Sequence, residues 1–330
     1  MRQLVKSVSS LALRQPLIAN AVRWQREVRL VFMCFHRFGR SPLGEAGHDL
    51  DAVDEGLTWL RRAGFSFADL EDTVRGLIAG RLPERPSVVV TIDDGYSDVL
   101  SAVPIFAKHA CPATVFLATD FLDRRAPLWW DQIQVLLSRA KGPLRLDAVA
   151  GVSWQGRWDT PTEQLAEGER LIELVKRAKE PARFEVIEAL GRQSGVELPL
   201  RELPGYQPLH WQEVRNLERE GLRFGPHTHT HPVLSALSDD EARTEIQHGY
   251  ERLRAEVLRP VPILAYPNGT AWSFSERDVA LLRSLGFIGG VTIDGRWRLP
   301  RLATLDPFRI GRLAFPAQLP NLQAQTLHLG

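Results

Sequence analysis

The sequence predicts an α/β fold, a parallel sheet or barrel carrying a mixed α+β insertion, and three observations support that prediction. Short strand-like runs alternate with helical stretches over most of the chain, at the spacing of βαβ units. One of those runs opens Val88–Asp98 (VVVTIDDGYSD), and its apolar residues read as a fully buried strand. From about Asp123 to Tyr206 the alternation is interrupted by helix, hairpin and charged-helix patterns.

The chain has 330 residues, 44% of them hydrophobic, enough to bury a large core. A net charge of +1 points to no polyanionic partner, so nucleic-acid binding is not expected. Cys34 and Cys111 sit in apolar, strand-like company and read as reduced core residues. Residues 1–30 are basic, with Arg2, Lys6, Arg14, Arg23, Arg26 and Arg29 against Glu27. The uncharged runs Ser7–Leu13 and Gln15–Val22 are too short to span a bilayer, and Arg14 interrupts any signal-peptide core. The expectation is a cytoplasmic protein whose residues 1–28 form a basic N-terminal helix. That helix either packs on the barrel or makes a peripheral contact with an anionic membrane. Residues 29–330 would then be the main domain, interrupted at about 123–206.

In chain order, Arg29–Phe35 reads as the first strand, with His36 and Arg37 at its end. Helices follow at Asp51–Arg62 and, after Gly64, at Phe67–Ile78; then come the central strand, a helix from about Ser97 to His109, and a strand at Ala113–Leu117. Within the interruption, Leu128–Asp131 opens a helix, Leu144–Trp158 alternates like a hairpin, and Pro161–Arg192 is charged and helical. Trp129, Trp130 and Trp154 there are either a small core or platforms for sugar rings. The barrel pattern resumes with a helix at Trp211–Glu220, a short strand at Gly221–Gly225, a helix at Ser238–Leu258, a strand at Ile263–Tyr266 and a last strand-like run at Arg309–Phe315. Ser238 is a good N-cap, with Asp239, Asp240 and Glu241 in the first turn.

The chemistry concentrates at two strand ends. Asp93 and Asp94 close the central strand before Gly95, where unpaired buried carboxylates would be costly. A second strand enters His227-Thr228-His229-Thr230-His231-Pro232. A catalytic zinc needs about three protein ligands and an open position, and His227, His231 and one Asp would supply them.

These two stretches resemble the first two motifs of the NodB-homology polysaccharide deacetylases, carbohydrate esterase family four. The resemblance implies a distorted (β/α) barrel with its site at the C-terminal strand ends. It implies Asp93 as general base and Asp94, His227 and His231 as ligands of a divalent metal, Zn²⁺ first, with Co²⁺, Mn²⁺ or Fe²⁺ as alternatives. His229 has no role in that pattern. The run Leu264–Gly269 (LAYPNG) corresponds to a third motif only in part: Pro267 and Gly269 match, whereas Ala265 stands where the family has Arg and Asn268 where it has an aromatic residue. Arg312 is the first candidate to replace that Arg beside Asp93, and Arg37 the second. The family's late His motif has no match, His328 being too near the terminus. His36, at a strand end, is the candidate proton donor. Tyr96, Tyr266, Pro267, Asn268 and Trp130 are the expected substrate contacts.

The resemblance thus implies hydrolytic removal of an acetyl group from an N-acetylated sugar in a polysaccharide, oligosaccharide or lipid-linked glycan. A backbone N–H near Gly95 or Tyr96 would meet the oxyanion, and Thr228 and Thr230 would hold the His loop by local hydrogen bonds. Two alternatives stay open: a hydrolase of this fold acting on a non-sugar amide or cyclic imide, and a carbohydrate-binding relative without turnover.

Overall fold

The computed structural model describes residues 30–43, 47–179, 181–198, 203–294, 305–316 and 321–322. The basic segment 1–28 and His328 lie outside the described residues. A strand covered on both faces has no solvent side, which is why the barrel strands read as continuous apolar runs. The first half comprises β1 (Leu30–Phe35), α1 (Leu50–Arg62), β2 (Ser66–Ala68), α2 (Leu70–Ile78), β3 (Ser87–Ile92), α3 (Val99–Lys108) and β4 (Ala113–Leu117). Every residue of β1, β3 and β4 is buried.

The expected helix from Phe67 starts instead at Leu70. Residues 66–68 pair in parallel with β3, and the Asp69 carboxylate accepts the Asp72 N–H as an N-cap. The interruption contains α4 (Thr119–Arg124), α5 (Trp129–Arg139), the antiparallel hairpin β5 (Leu144–Val149) and β6 (Val152–Gly156), then α6 (Pro161–Arg177) and α7 (Ala182–Ser194). The charged stretch is thus two helices, because Pro181 has no N–H to continue the first. Trp129, Ile133, Leu146, Trp154, Leu171 and Val186 belong to a hydrophobic cluster separate from that of the barrel.

The chain then returns through α8 (Trp211–Arg219), β7 (Arg223–Pro226), α9 (Asp239–Arg254), β8 (Ile263–Ala265), α10 (Glu276–Ser284), β9 (Gly289–Thr292), β10 (Ile310–Gly311) and β11 (Leu313–Ala314). The sequence gives little sign of β9, since two of its four residues are glycines. Gly290 is needed there: a Cβ would stand 2.6 Å from the Tyr266 ring.

All barrel pairings are parallel, in two arcs ordered β11-β1-β3-β4-β7 and β10-β9-β8. The arcs meet at Arg312, between β10 and β11, whose N–H donates to the Thr292 carbonyl at 3.0 Å. Across the other seam, Val261 N–H donates to the Phe224 carbonyl at 2.8 Å. The result is a distorted (β/α) barrel. Its interior is filled by residues such as Phe32, Val89, Phe116, Ile263 and Val291, with Leu70, Val74 and Leu77 of α2 against them. Both cysteines are buried free thiols, pushed up from the ordinary thiol range by that burial. Among the described residues, no helix is long and apolar enough to cross a membrane.

Candidate metal centre and active site

The β3 ladder extends one residue past the strand, where the Asp93 N–H donates to the Phe35 carbonyl at 2.9 Å. The next residue, Asp94, turns into the left-handed region at φ 75°. That reversal sends the two neighbouring carboxylates to different partners. Asp93 meets Arg312 Nη1 and Nη2 through both of its oxygens at 2.7 Å each. Arg312 also donates to the Thr91 hydroxyl at 2.9 Å. Arg37, the second candidate for this cation, lies elsewhere: it donates to Asp98 and stacks over the Tyr96 ring. The reason is topological, since Arg312 stands between β10 and β11 in the barrel wall while Arg37 follows the end of β1.

Asp94 faces the loop after β7. Its Oδ1 lies 3.5 Å from His227 Nε2 and 3.4 Å from His231 Nε2, and the two imidazole nitrogens are 3.1 Å apart. Donors held ~2.0–2.2 Å from one tetrahedral ion are roughly 3.3–3.6 Å from one another, so the three atoms fit a common cation. The His227 Nδ1 is 2.7 Å from the Ala265 carbonyl, which can only accept; this bond turns the Nε2 lone pair toward Asp94. His231 Nδ1 is buried without a hydrogen-bond partner. Asp94, His227 and His231 all line one cleft.

Electrostatics agree with this division. Burial alone would raise the Asp93 carboxyl, but the Arg312 guanidinium outweighs it and holds Asp93 well below the usual carboxylate range. Asp94 is lowered as well, the nearby imidazoles overcoming its burial. Burial and the neighbouring His227 push His231 down to about 3, while the Asp94 contact raises His227 despite its burial. Two imidazole nitrogens 3.1 Å apart can share one proton but not carry two. Arg312 balances Asp93, so the charge of Asp94 is left for either that proton or a divalent ion.

A cleft of about 480 Å³ opens over these groups. His36, Tyr96, Trp130 and Asn268 line it, together with Asp93, Asp94, His227 and His231. His36 Nε2 lies 3.8 Å from Asp93 Oδ2, and its side chain is 43% exposed, which places it at the mouth. Trp130 Nε1 donates to the Tyr96 hydroxyl at 3.2 Å, and that hydroxyl donates to Asp131 at 2.5 Å. Asn268, left-handed at φ 60°, has a buried Nδ2 without a partner.

Two of the expected substrate contacts lie away from the cleft. Tyr266 is fully buried, stacks on Phe274 and donates to the Phe308 carbonyl at 3.0 Å; it fills the space left by Gly290 and does not reach the cleft. Pro267 is buried beside it and does not line the cleft. Trp129 and Trp154 belong to the insertion core. His229 does not join Asp94, His227 and His231: it stacks on His248 and pairs with the Thr119 hydroxyl at 2.8 Å. The Gly95 N–H donates to the Asp93 carbonyl, so it is not an oxyanion donor in this geometry. Sequence reasoning missed Asp131, Gln134, Glu169, Ile172 and Lys176, which line the cleft from α5 and α6. Their helical spacing was visible, but nothing in it indicated which face would meet the barrel.

Residues 162–288 match the family model described as polysaccharide deacetylase. The matched stretch contains His227, His231 and Asn268 but not Asp93 and Asp94. No curated protein sequence matches significantly. Among solved structures, the fold is similar to that of the Streptococcus pyogenes deacetylase PplD in complex with acetate, at 16% identity over 91% of this chain and 98% of that one, with a TM-score of 0.58. IcaB from Ammonifex degensii superposes with a TM-score of 0.56 at 18% identity, over 91% of this chain and 97% of its own. A de-N-acetylase from Aggregatibacter actinomycetemcomitans gives 0.53 at 13% identity, covering 86% and 94%. At these identities the superpositions establish a shared fold.

Proposed function

We propose that this chain, whose residues 162–288 match the polysaccharide deacetylase family model, is a metal-dependent N-deacetylase of an N-acetylated sugar. One observation supports this most directly. A carboxylate held by a buried guanidinium stands in the same cleft as three donor atoms 3.1–3.5 Å apart. The first is arranged to take a proton, and the second to hold a cation.

Asp94, His227 and His231 would hold the ion, Zn²⁺ being the first choice for two imidazoles and a carboxylate. When bound, it would supply Lewis acidity, activating the attacking water and polarising the acetyl carbonyl. Asp93, fixed by Arg312 and kept ionised, takes the proton from that water. Asn268 Nδ2 is a free donor on the cleft wall for an oxygen of the substrate. The Tyr96 N–H is our candidate for the developing oxyanion. His36, beside Asp93 at the mouth, delivers the proton to the departing amine. Water attack on the acetyl carbon and cleavage of the C–N bond then give acetate and the free amino sugar.

The ring of Trp130 and the polar residues of α5 and α6 suit a pyranose rather than a flat aromatic amide. Acetate release from a panel of N-acetylated sugars, with and without chelator, tests the whole proposal. Release that chelator abolishes and added Zn²⁺ restores is expected. No release from any acetylated sugar, with turnover of linear amides or cyclic imides instead, overturns the sugar reading.

A further inference from the structure

Building on the function proposed above, we propose that Arg183, on α7 of the insertion, is a positioning residue for the metal-binding His loop. The insertion would then set the metal site as well as wall the cleft. Thr230, next to the ligand His231, is engaged through every polar atom. Its carbonyl accepts from Arg183 Nη1 at 2.8 Å, and its hydroxyl accepts from Arg183 Nη2 at 2.7 Å. The same hydroxyl donates to Glu245 Oε1 at 2.7 Å, while the Thr230 N–H donates to Glu245 Oε2 at 2.8 Å. Glu245 also accepts the His229 N–H at 3.1 Å. A guanidinium from the insertion and a carboxylate from α9 thus grip one threonine from opposite sides.

The loop needs such a grip. Thr228 and His231 are left-handed at φ 64° and 57°. Such a backbone conformation is strained for a residue with a Cβ and persists only where the surroundings over-determine it. From the barrel side, α9 approaches so closely that a Cβ on Gly249 would stand 2.6 Å from the Thr228 carbonyl carbon and 2.9 Å from the His229 nitrogen. From the insertion side, Arg183 is 6% exposed and makes the two short bonds, with Trp129 Nε1 adding a longer one of 3.4 Å to the His231 carbonyl. Without Arg183 the carbonyl before His231 loses its donor, and the imidazole is free to leave the position that completes the donor set.

The test separates positioning from charge and from stability. Removing a cation near a metal site should by Coulomb's law strengthen binding of another cation, so a loss of affinity in Arg183→Met reports geometry. Zn²⁺ affinity is read by competition with a chromophoric chelator, ligand geometry by the visible spectrum of the Co²⁺-loaded protein, and stability by the urea midpoint of the metal-free protein. Arg183→Met is expected to bind Zn²⁺ about tenfold or more weakly, in the range found for groups that orient metal ligands, with altered Co²⁺ bands. Arg183→Lys should recover part of the affinity through a single hydrogen bond. Unchanged Zn²⁺ affinity and Co²⁺ spectrum in Arg183→Met, with only the urea midpoint lowered, would overturn the proposal. Should Arg183→Met fail to fold, Thr230→Val replaces it, and unchanged metal affinity there overturns the proposal equally. A wild-type protein that binds neither Zn²⁺ nor Co²⁺ would instead overturn the function on which it rests.

Discussion

Arg312 and Asp93 lie 219 residues apart in the chain, yet join through two parallel hydrogen bonds of 2.7 Å in a fully buried site. The fork of a guanidinium matches a carboxylate in this way, and burial makes each charge depend on the other. Removing either partner leaves an uncompensated buried ion, at a cost of about 3–5 kcal/mol. Arg312→Met and Asp93→Asn should each lower the urea midpoint substantially. The double variant should lose less than the sum of the two, and strict additivity in that cycle would refute the pairing.

Activity should separate the same two residues. Asp93→Asn is expected to lose about 10²–10⁴-fold in kcat while keeping its metal, because the asparagine cannot accept a proton. Metal analysis beside steady-state kinetics checks both halves, and normal turnover would remove Asp93 from the role of base.

His231 offers one of three clustered donor atoms that would surround the proposed cation. His231→Ala should therefore purify without stoichiometric Zn²⁺, as read by elemental analysis. A variant that still holds one ion per chain would exclude His231 as a ligand.

His36 approaches Asp93 from the mouth of the cleft, its Nε2 3.8 Å from Asp93 Oδ2. His36→Gln should lower kcat by about 10²–10⁴-fold with unchanged metal content. An unchanged rate would send the search for the proton donor to another group in the cleft.

His48 packs edge-on against Phe35 and Phe315, and burial, with a smaller push from His36, lowers its imidazole to about 4. Its unfolded value is about 6.5, so between these pH values the unfolded chain holds the proton and the folded one does not. Its contribution to stability is complete above about pH 6.5 and is lost as pH falls toward 4, with a slope of at most ~1.4 kcal/mol per pH unit. Urea unfolding of His48→Phe between pH 4 and 7 should show a shallower dependence than wild type; parallel curves would contradict the shift.

The sequence alone determined the alternation that makes the barrel, because continuous apolar runs and amphipathic helices are local consequences of covered and half-covered surfaces. It also determined the identity of the acidic corner at Asp93–Asp94 and of the His227–His231 loop, since costly groups at strand ends need a reason to be there. Arg312 could be nominated from the strand run but not assigned, as its partner is 219 residues away. Only the tertiary structure decided which carboxylate faced which partner, through a backbone reversal at Asp94 that no residue type dictates. It alone moved Tyr266 from the cleft to the core, where two distant glycine and phenylalanine positions shape the space around its ring. It alone brought α5, α6 and α7 of the insertion against the site. Helical spacing fixes which residues share a face, whereas packing between elements far apart in the chain fixes what that face meets.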